Sequence, residues 1–248
     1  MPPRSPDPRR ARLSRRAFAR ASLGAVALFG RAARGAPSLA VGGRLSLSLP
    51  WPATSLDPHA LDDVVAALLG DAVFETLYTR VGGAPAPLLA ATMPEASAGS
   101  LRVPLRAGVV FAGGRAVTAR DVVFSLDRAR AAGARGWLAP FGRPRVDGAH
   151  ALRFPARDGV ALAAALASPL TAIVPASFRA DRPEGTGPFA VAASAAGLVL
   201  TRNERAIAPA YADEIALRPA TDLAASLRSF EAGKDDLGWL GAGLHDPR

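Results

Sequence analysis

The sequence predicts an α/β fold, and three observations carry that reading. Leu101, Val103 and Leu105 alternate along a strand that runs to Gly108. A capped amphipathic helix follows after a Gly113-Gly114 turn. Further on, Gly185-Thr186-Gly187-Pro188 opens two apolar runs, 189–193 and 198–202, that read as a hairpin across 194–197. Strands and helices alternate along the chain with no internal repeat and no domain linker.

In chain order, residues 44–49 alternate through Leu45, Leu47 and Leu49 and form the first expected strand. The prolines at 50, 52 and 58 make the next stretch a loop. Residues 64–77 read as a helix with Val65, Leu68, Leu69, Ala72 and Val73 on its apolar side, closed by Phe74-Glu75-Thr76-Leu77-Tyr78, after which Gly82-Gly83 turns the chain. Val109-Val110-Phe111 reads as a second short strand before the Gly-Gly turn. Thr118 stands at the N-cap of the next helix with Asp121 as its acidic N3 partner. Val122, Val123, Leu126 and Ala129 line one side, and Gly133 is the stop. A strand at 151–154, a helix at 160–167, a strand at 214–217 and a helix at 222–231 stopped by Gly233 complete the order.

Composition excludes several function classes. The chain has 30 basic and 21 acidic residues, a net charge of +9. Nine arginines and only Asp7 fall within residues 1–36, so the remainder carries a net charge near +1. With no basic stripe interleaved with aromatics, a nucleic-acid partner is not expected. There is no cysteine, which removes disulfides, thiolate metal sites, a cysteine nucleophile and a lipid-modified cysteine anchor together. His59, His150 and His245 are scattered and read as surface or loop histidines, so no metal site and no cofactor is expected. Gly185-Thr186-Gly187 lacks the third glycine of a dinucleotide fingerprint and leads into a strand; it reads as a tight turn. Asp57, Asp62 and Asp63 sit too close in one loop to form a catalytic carboxylate pair, and Asp57 reads as a loop cap beside Pro58. Neither Ser55 nor Ser125 has a histidine that would mark a triad. No enzyme is expected.

The segment L-R-A-G-V-V-F-A-G-G-R-A-V-T-A-R-D-V-V-F-S-L-D-R, residues 105–128, resembles the signature of the bacterial extracytoplasmic solute-binding proteins of family 5, the oligopeptide/dipeptide/nickel-binding components of ABC importers. Gly113 stands where that signature usually has Asp. Other pieces resemble the family in the same order: Ser55-Leu56-Asp57-Pro58-His59, Phe74-Glu75-Thr76-Leu77, Gly185-Thr186-Gly187-Pro188-Phe189, Arg202-Asn203, Tyr211-Ala212-Asp213-Glu214-Ile215 and Ala232-Gly233-Lys234-Asp235-Asp236. The resemblance covers about residues 44–240. It implies a periplasmic-binding-protein-like (type II) lobe with a mixed sheet and flanking helices. The family's second lobe is expected to be largely absent, so that residues 37–248 form the N-terminal part of a truncated domain.

Residues 1–36 are expected to be a twin-arginine signal peptide. Ser14-Arg15-Arg16-Ala17-Phe18-Ala19-Arg20 resembles the export motif, and the apolar stretch 21–30 behind it is too short to span a bilayer. Cleavage after Gly35 or after Ala40 fits equally. The expected product is periplasmic, soluble and not lipid-anchored, having met the twin-arginine translocase during export.

The resemblance also implies a site. In oligopeptide-binding relatives the segment after S-L-D-P-H lies along the cleft and pairs its backbone with the peptide. Counted without gaps from Ser55, that segment is Leu61, Asp62, Asp63 and Val64. Backbone pairing gives affinity with little side-chain selectivity. Asp62 and Asp63 have the competing role of solvated loop acids, and Trp239, placed at the cleft, has core packing as its alternative. The expected partners are a small solute, a short peptide first, and an ABC permease. The alternative is an orphan truncated lobe acting as an interaction module without a ligand.

Overall fold

The computed structural model describes residues 42–52, 55–60, 63–194 and 197–238. The twin-arginine segment, Leu61, Asp62 and Trp239 lie outside the described residues. The described elements run β1 (Arg44–Leu49), α1 (Val64–Val73), β2 (Tyr78–Val81), β3 (Ala84–Pro87), β4 (Glu95–Ser97), β5 (Ser100–Pro104) and α2 (Ala119–Ala129). A π-helical turn (Arg130–Ala134) leads to α3 (Arg135–Leu138). Then come β6 (Arg145–Val146), β7 (Ala151–Phe154), α4 (Gly159–Ala165), β8 (Phe189–Ser194), β9 (Gly197–Arg202), β10 (Glu214–Pro219) and α5 (Leu223–Glu231).

Two four-stranded sheets organise the chain. One has the order β1-β10-β9-β8, with β1 parallel to β10 and the other pairs antiparallel, which makes it the mixed sheet of the expected fold. The other, β4-β5-β7-β6, is antiparallel. Each sheet has its own apolar cluster. Phe111, Val122, Leu126, Leu138, Leu152, Phe154, Leu162 and Leu166 are among the side chains closing the antiparallel sheet against α2 and α4. Leu49, Leu56, Val65, Leu69, Val73, Val174, Phe189, Leu200 and Leu217 pack the mixed sheet against α1.

β1 buries both of its faces by different means. Leu49 joins the apolar cluster and Leu47 packs against it, while Ser46 and Ser48 are buried beneath α5 and the turn after it. There the Ser48 hydroxyl donates to Asp235 Oδ2 (2.6 Å) and the Ser226 hydroxyl donates to the Ser48 carbonyl. The Ser46 amide and hydroxyl both donate to Asp236 Oδ2 (2.9 and 2.7 Å). Buried hydroxyls are tolerable because each has a partner.

Several expectations need correction. The helix over 64–77 ends at Val73, and Phe74 is extended (φ −119°, ψ 141°). The cause is tertiary: the Gly187 amide donates to the Val73 carbonyl (2.9 Å), and a Cβ on Gly185 would lie 1.9 Å from that oxygen. The Glu75 carbonyl then accepts from the Ile173 amide (2.8 Å), so residues 74–77 pair outward instead of coiling. Residues 109–111 form no strand. The Phe111 amide donates across the Gly-Gly turn to Arg115 O (2.8 Å), and its ring is fully buried. The β2–β3 hairpin and β4 went unread. Thr118 does cap α2, with its amide and hydroxyl donating to Asp121 Oδ2 (3.0 and 2.7 Å). Gly133, at φ 127°, sits in the π-helical turn after that helix. The glycine at 113 also finds a reason: the Glu184 carboxylate accepts from its amide (2.9 Å) and fills the space a side chain would need.

Candidate functional site

The loop between β1 and α1 is built from nested side-chain-to-backbone bonds. Ser55 Oγ accepts from the Asp57 amide (3.0 Å), and Asp57 Oδ1 accepts from the His59 amide (2.9 Å). Asp63 is the N-cap of α1, its Oδ1 accepting from the Val65 and Ala66 amides (2.9 Å each). Carboxylate oxygens satisfying otherwise orphaned helix amides are a strong local determinant of where α1 begins.

Arg128, at the end of α2, ties this loop to the body of the protein. Its guanidinium donates to both oxygens of Asp57, with Nη1 to Oδ1 at 2.6 Å, and the same Nη1 lies 2.7 Å from His59 Nδ1. The guanidinium also stacks over the Phe178 ring at 4.8 Å, and Phe178 meets Phe74 edge-on. Because an arginine only donates, His59 Nδ1 accepts, and His59 Nε2 carries the proton it donates to the Ala172 carbonyl (3.0 Å). Burial, reinforced by the Arg128 charge, lowers the imidazole to about 4, against weaker raising effects from the Ala172 carbonyl and Asp57. Burial alone would raise the Asp57 carboxyl; the Arg128 hydrogen bond, the His59 amide and the Arg128 charge outweigh it and hold it below its usual value. His59 is a loop histidine as expected but not a surface one: it is 1% exposed and partnered on both nitrogens. Asp57 is the loop cap expected, and an ion-pair partner as well.

Above this anchor lie two open clefts that share Trp51, Pro52 and Ser55 as walls. The larger, of about 490 Å³, is lined mainly by apolar groups, Leu49, Val191, Leu198 and Leu217 of the mixed sheet and Leu56 of the loop. Asp181 and Arg218 stand among them. The smaller, of about 440 Å³, is walled by Ala60, Asp63, Val64 and Val65 at the start of α1. Asp63 and Val64 thus meet at one cleft, Asp63 with its Oδ1 engaged in capping and Val64 half exposed.

The other motifs also meet in pairs. Ser125 Oγ accepts from the Val174 amide (2.9 Å), which fixes α2 against the strand-like segment beside His59's partner Ala172. Asn203 Nδ2 donates to the Gly187 carbonyl (2.9 Å), and Gly187 in turn holds Val73. Glu75 and Thr186 are buried close together; burial raises the Glu75 carboxyl, with Thr186 and the Arg106 charge opposing it. What recurs in sequence here is largely a set of mutual fastenings. Trp137 is half exposed and donates its indole N–H to Ala165 O (3.0 Å), away from these clefts. Among the described residues no group of three His, Cys, Asp or Glu could hold a metal ion, and no helix is long and apolar enough to cross a membrane.

The sequence profile of the bacterial extracellular solute-binding proteins, family 5 Middle, matches residues 84–242. No curated protein matches the chain at a significant level. Among solved structures, MoaA from A. tumefaciens R10 in complex with mannopinic acid is similar at 27% identity and TM-score 0.68, over 78% of this chain and 44% of that one. NikA from Brucella suis in complex with Fe(III)-EDTA is similar at 25% identity and TM-score 0.67, over 78% and 43%. DppA from Helicobacter pylori in complex with the peptide STSA shares the fold at 20% identity and TM-score 0.66, over 79% and 46%. The chain thus spans less than half the length of each of these structures. It has the periplasmic-binding-protein fold over part of that length, and it belongs to family 5 of the bacterial extracellular solute-binding proteins.

Proposed function

We propose that this chain is part of the extracytoplasmic solute-binding component of an ABC importer and supplies one wall of an interlobe cleft for a short peptide or a related small solute. The observation that carries the reading is the meeting of Asp63 and Val64 with Trp51 and Pro52 along an open groove at the carboxyl end of β1. That is the stretch at which the resemblance places Leu61–Val64 against a ligand backbone, and Trp239 is proposed to join the same wall. Capture would work by differential affinity: an open form closes on the solute, and a membrane permease recognises the closed form. Residues 1–36 are proposed to send the protein through the twin-arginine translocase to the periplasm, without a lipid anchor.

A single wall leaves much of a solute in water, whereas small-molecule sites bury 70–90% of their ligand. Calorimetry of this chain against a mixture of di- to pentapeptides should therefore show nothing tighter than roughly millimolar, about −4 kcal/mol. A micromolar isotherm that Asp62→Ala leaves untouched would refute both the one-wall reading and the contact. Arg15→Lys with Arg16→Lys should leave precursor in the cytoplasm, and a normal periplasmic yield of that double variant would remove the export proposal.

A further inference from the structure

We propose that Asp57, His59 and Arg128 form a latch that positions the solute-facing segment at Asp63 and Val64, with His59 and Arg128 as positioning residues, and that acid opens it. The proposal rests on the reading of that segment given above, but its geometry stands apart from any solute. Asp57 and His59 reach out of the loop to side-chain and backbone partners in two other parts of the chain, Arg128 on α2 and the Ala172 carbonyl beyond α4. From Asp57 the bonds run onward: the Ala60 amide donates to Asp57 O (3.0 Å), and the Asp63 amide donates to Ala60 O (3.2 Å). Asp63 then caps α1. Releasing Asp57 and His59 loosens the backbone that sets where Asp63 and Val64 stand.

The acid sensitivity follows from the donor count. His59 Nδ1 already faces a donor, Arg128 Nη1, at 2.7 Å. A proton on Nδ1 would set donor against donor and cation against cation, and the ring has no room to keep both bonds. The charged groups acting on His59 are Arg128 from α2 and Asp57 from its own loop; Ala172 contributes a carbonyl. Asp57 is committed to the guanidinium through both oxygens, and its charge offsets the repulsion only in part. The lowered imidazole agrees with this geometry.

The test needs no solute. Histidine ring nitrogens and the amides of residues 57, 59, 60 and 63–66 are followed by NMR and hydrogen exchange from neutral pH down to about pH 4, where His59 titrates. In the native chain His59 should stay a neutral Nε2–H tautomer until that acid step. The loop amides should then lose at least ~10-fold in protection factor at the same midpoint, while β7 amides stay protected, as expected of local opening. His59→Gln keeps an acceptor and a donor but gains no proton; it should retain protection at neutral pH and lose the acid step. Arg128→Met should move the His59 titration up toward 6.5 and loosen the loop at neutral pH. Loop protection that persists through the His59 titration, or an unchanged acid step in His59→Gln, overturns the latch; should Arg128→Met not fold, these two results decide alone. Peptide calorimetry runs beside it. A micromolar peptide isotherm that Asp62→Ala leaves untouched, with a working latch, counts against the functional reading alone, and a pH-insensitive loop counts against the latch alone.

Discussion

The two sheets of this protein are finished to different degrees. The antiparallel β4-β5-β7-β6 sheet and its helices come from one continuous stretch, and its inward side chains, Leu152, Phe154 and Leu162 among them, have no exposure at all. The mixed β1-β10-β9-β8 sheet is assembled from both ends of the described chain. Its apolar face stays partly open: Leu47, Trp51, Val191, Leu198 and Ile215 are only half-buried, and three of them line the larger cleft. A region that closes itself is built for stability. A region that leaves apolar surface in a groove is where a ligand or more protein is to be sought, since soluble proteins seldom leave such patches without use.

Substitutions that are chemically identical but differently placed test this contrast most sharply. Leu152→Ala in β7 removes a fully enclosed side chain and should cost about 2–5 kcal/mol, whereas Leu198→Ala in the groove should cost ~1 kcal/mol or less. Denaturant unfolding of both variants reads this directly, and equal losses would dissolve the distinction. The next effect is acid. His59 titrates at about 4 when folded and near 6.5 when unfolded, so between those values the unfolded chain holds the extra proton and stability falls as pH drops. The integrated loss is about 3 kcal/mol, complete near pH 4, and His59→Gln should flatten the stability profile across that window. Asp57, held below its usual value, extends the loss to still lower pH, since stability from a depressed carboxylate disappears only as it protonates.

A smaller effect is expected where the chain departs from its family. Gly113→Asp would set a second carboxylate on Glu184, whose Oε1 lies 2.5 Å from where a Cβ would be. A loss of ~1 kcal/mol is expected at this exposed position, and Glu184→Gln should recover part of it in a double-mutant cycle. Smallest in stability is Leu198→Ser. Its main effect should be on association, with less concentration-dependent sedimentation than the parent, because it removes apolar surface from the open groove. An unchanged sedimentation profile would point to some other surface.

Local signals in the sequence were reliable where the chain answers to itself. The strand at Arg44–Leu49, the strand at Ala151–Phe154, the hairpin of 189–194 with 197–202 and the Thr118 cap all follow from alternation, turn chemistry and N-terminal capping, which act over a few residues. What failed depends on distant partners. Val73 ends its helix because Gly185 and Gly187, more than a hundred positions on, press against its carbonyl. Pro85 and Pro87 in β3 disguised a hairpin, because proline is a poor strand former that an edge nonetheless accepts. At the site, Asp63 and Val64 line the smaller groove, but the role of His59 was hidden because its ring is interpretable only with Arg128, 69 positions away. The conspicuous signal was the motif pair itself, S-L-D-P-H and the arginine closing D-V-x-F-S-x-x-R.

The pairing of β1 has a consequence for how the chain acquires its shape during synthesis. β1 is among the first described residues to leave the ribosome, yet its parallel neighbour β10 is 170 positions later, and the bonds from Ser46 to Asp236 span 190. Until those late segments emerge, Leu45, Leu47 and Leu49 have no sheet to join. Such long-range closures slow folding and lengthen the exposure of sticky intermediates. The contiguous sheet of β4 to β7 can form in the meantime. The earliest strand is therefore among the last to be secured, and holdase chaperones would be expected to find their target in the nascent β1 rather than in the larger core that follows it.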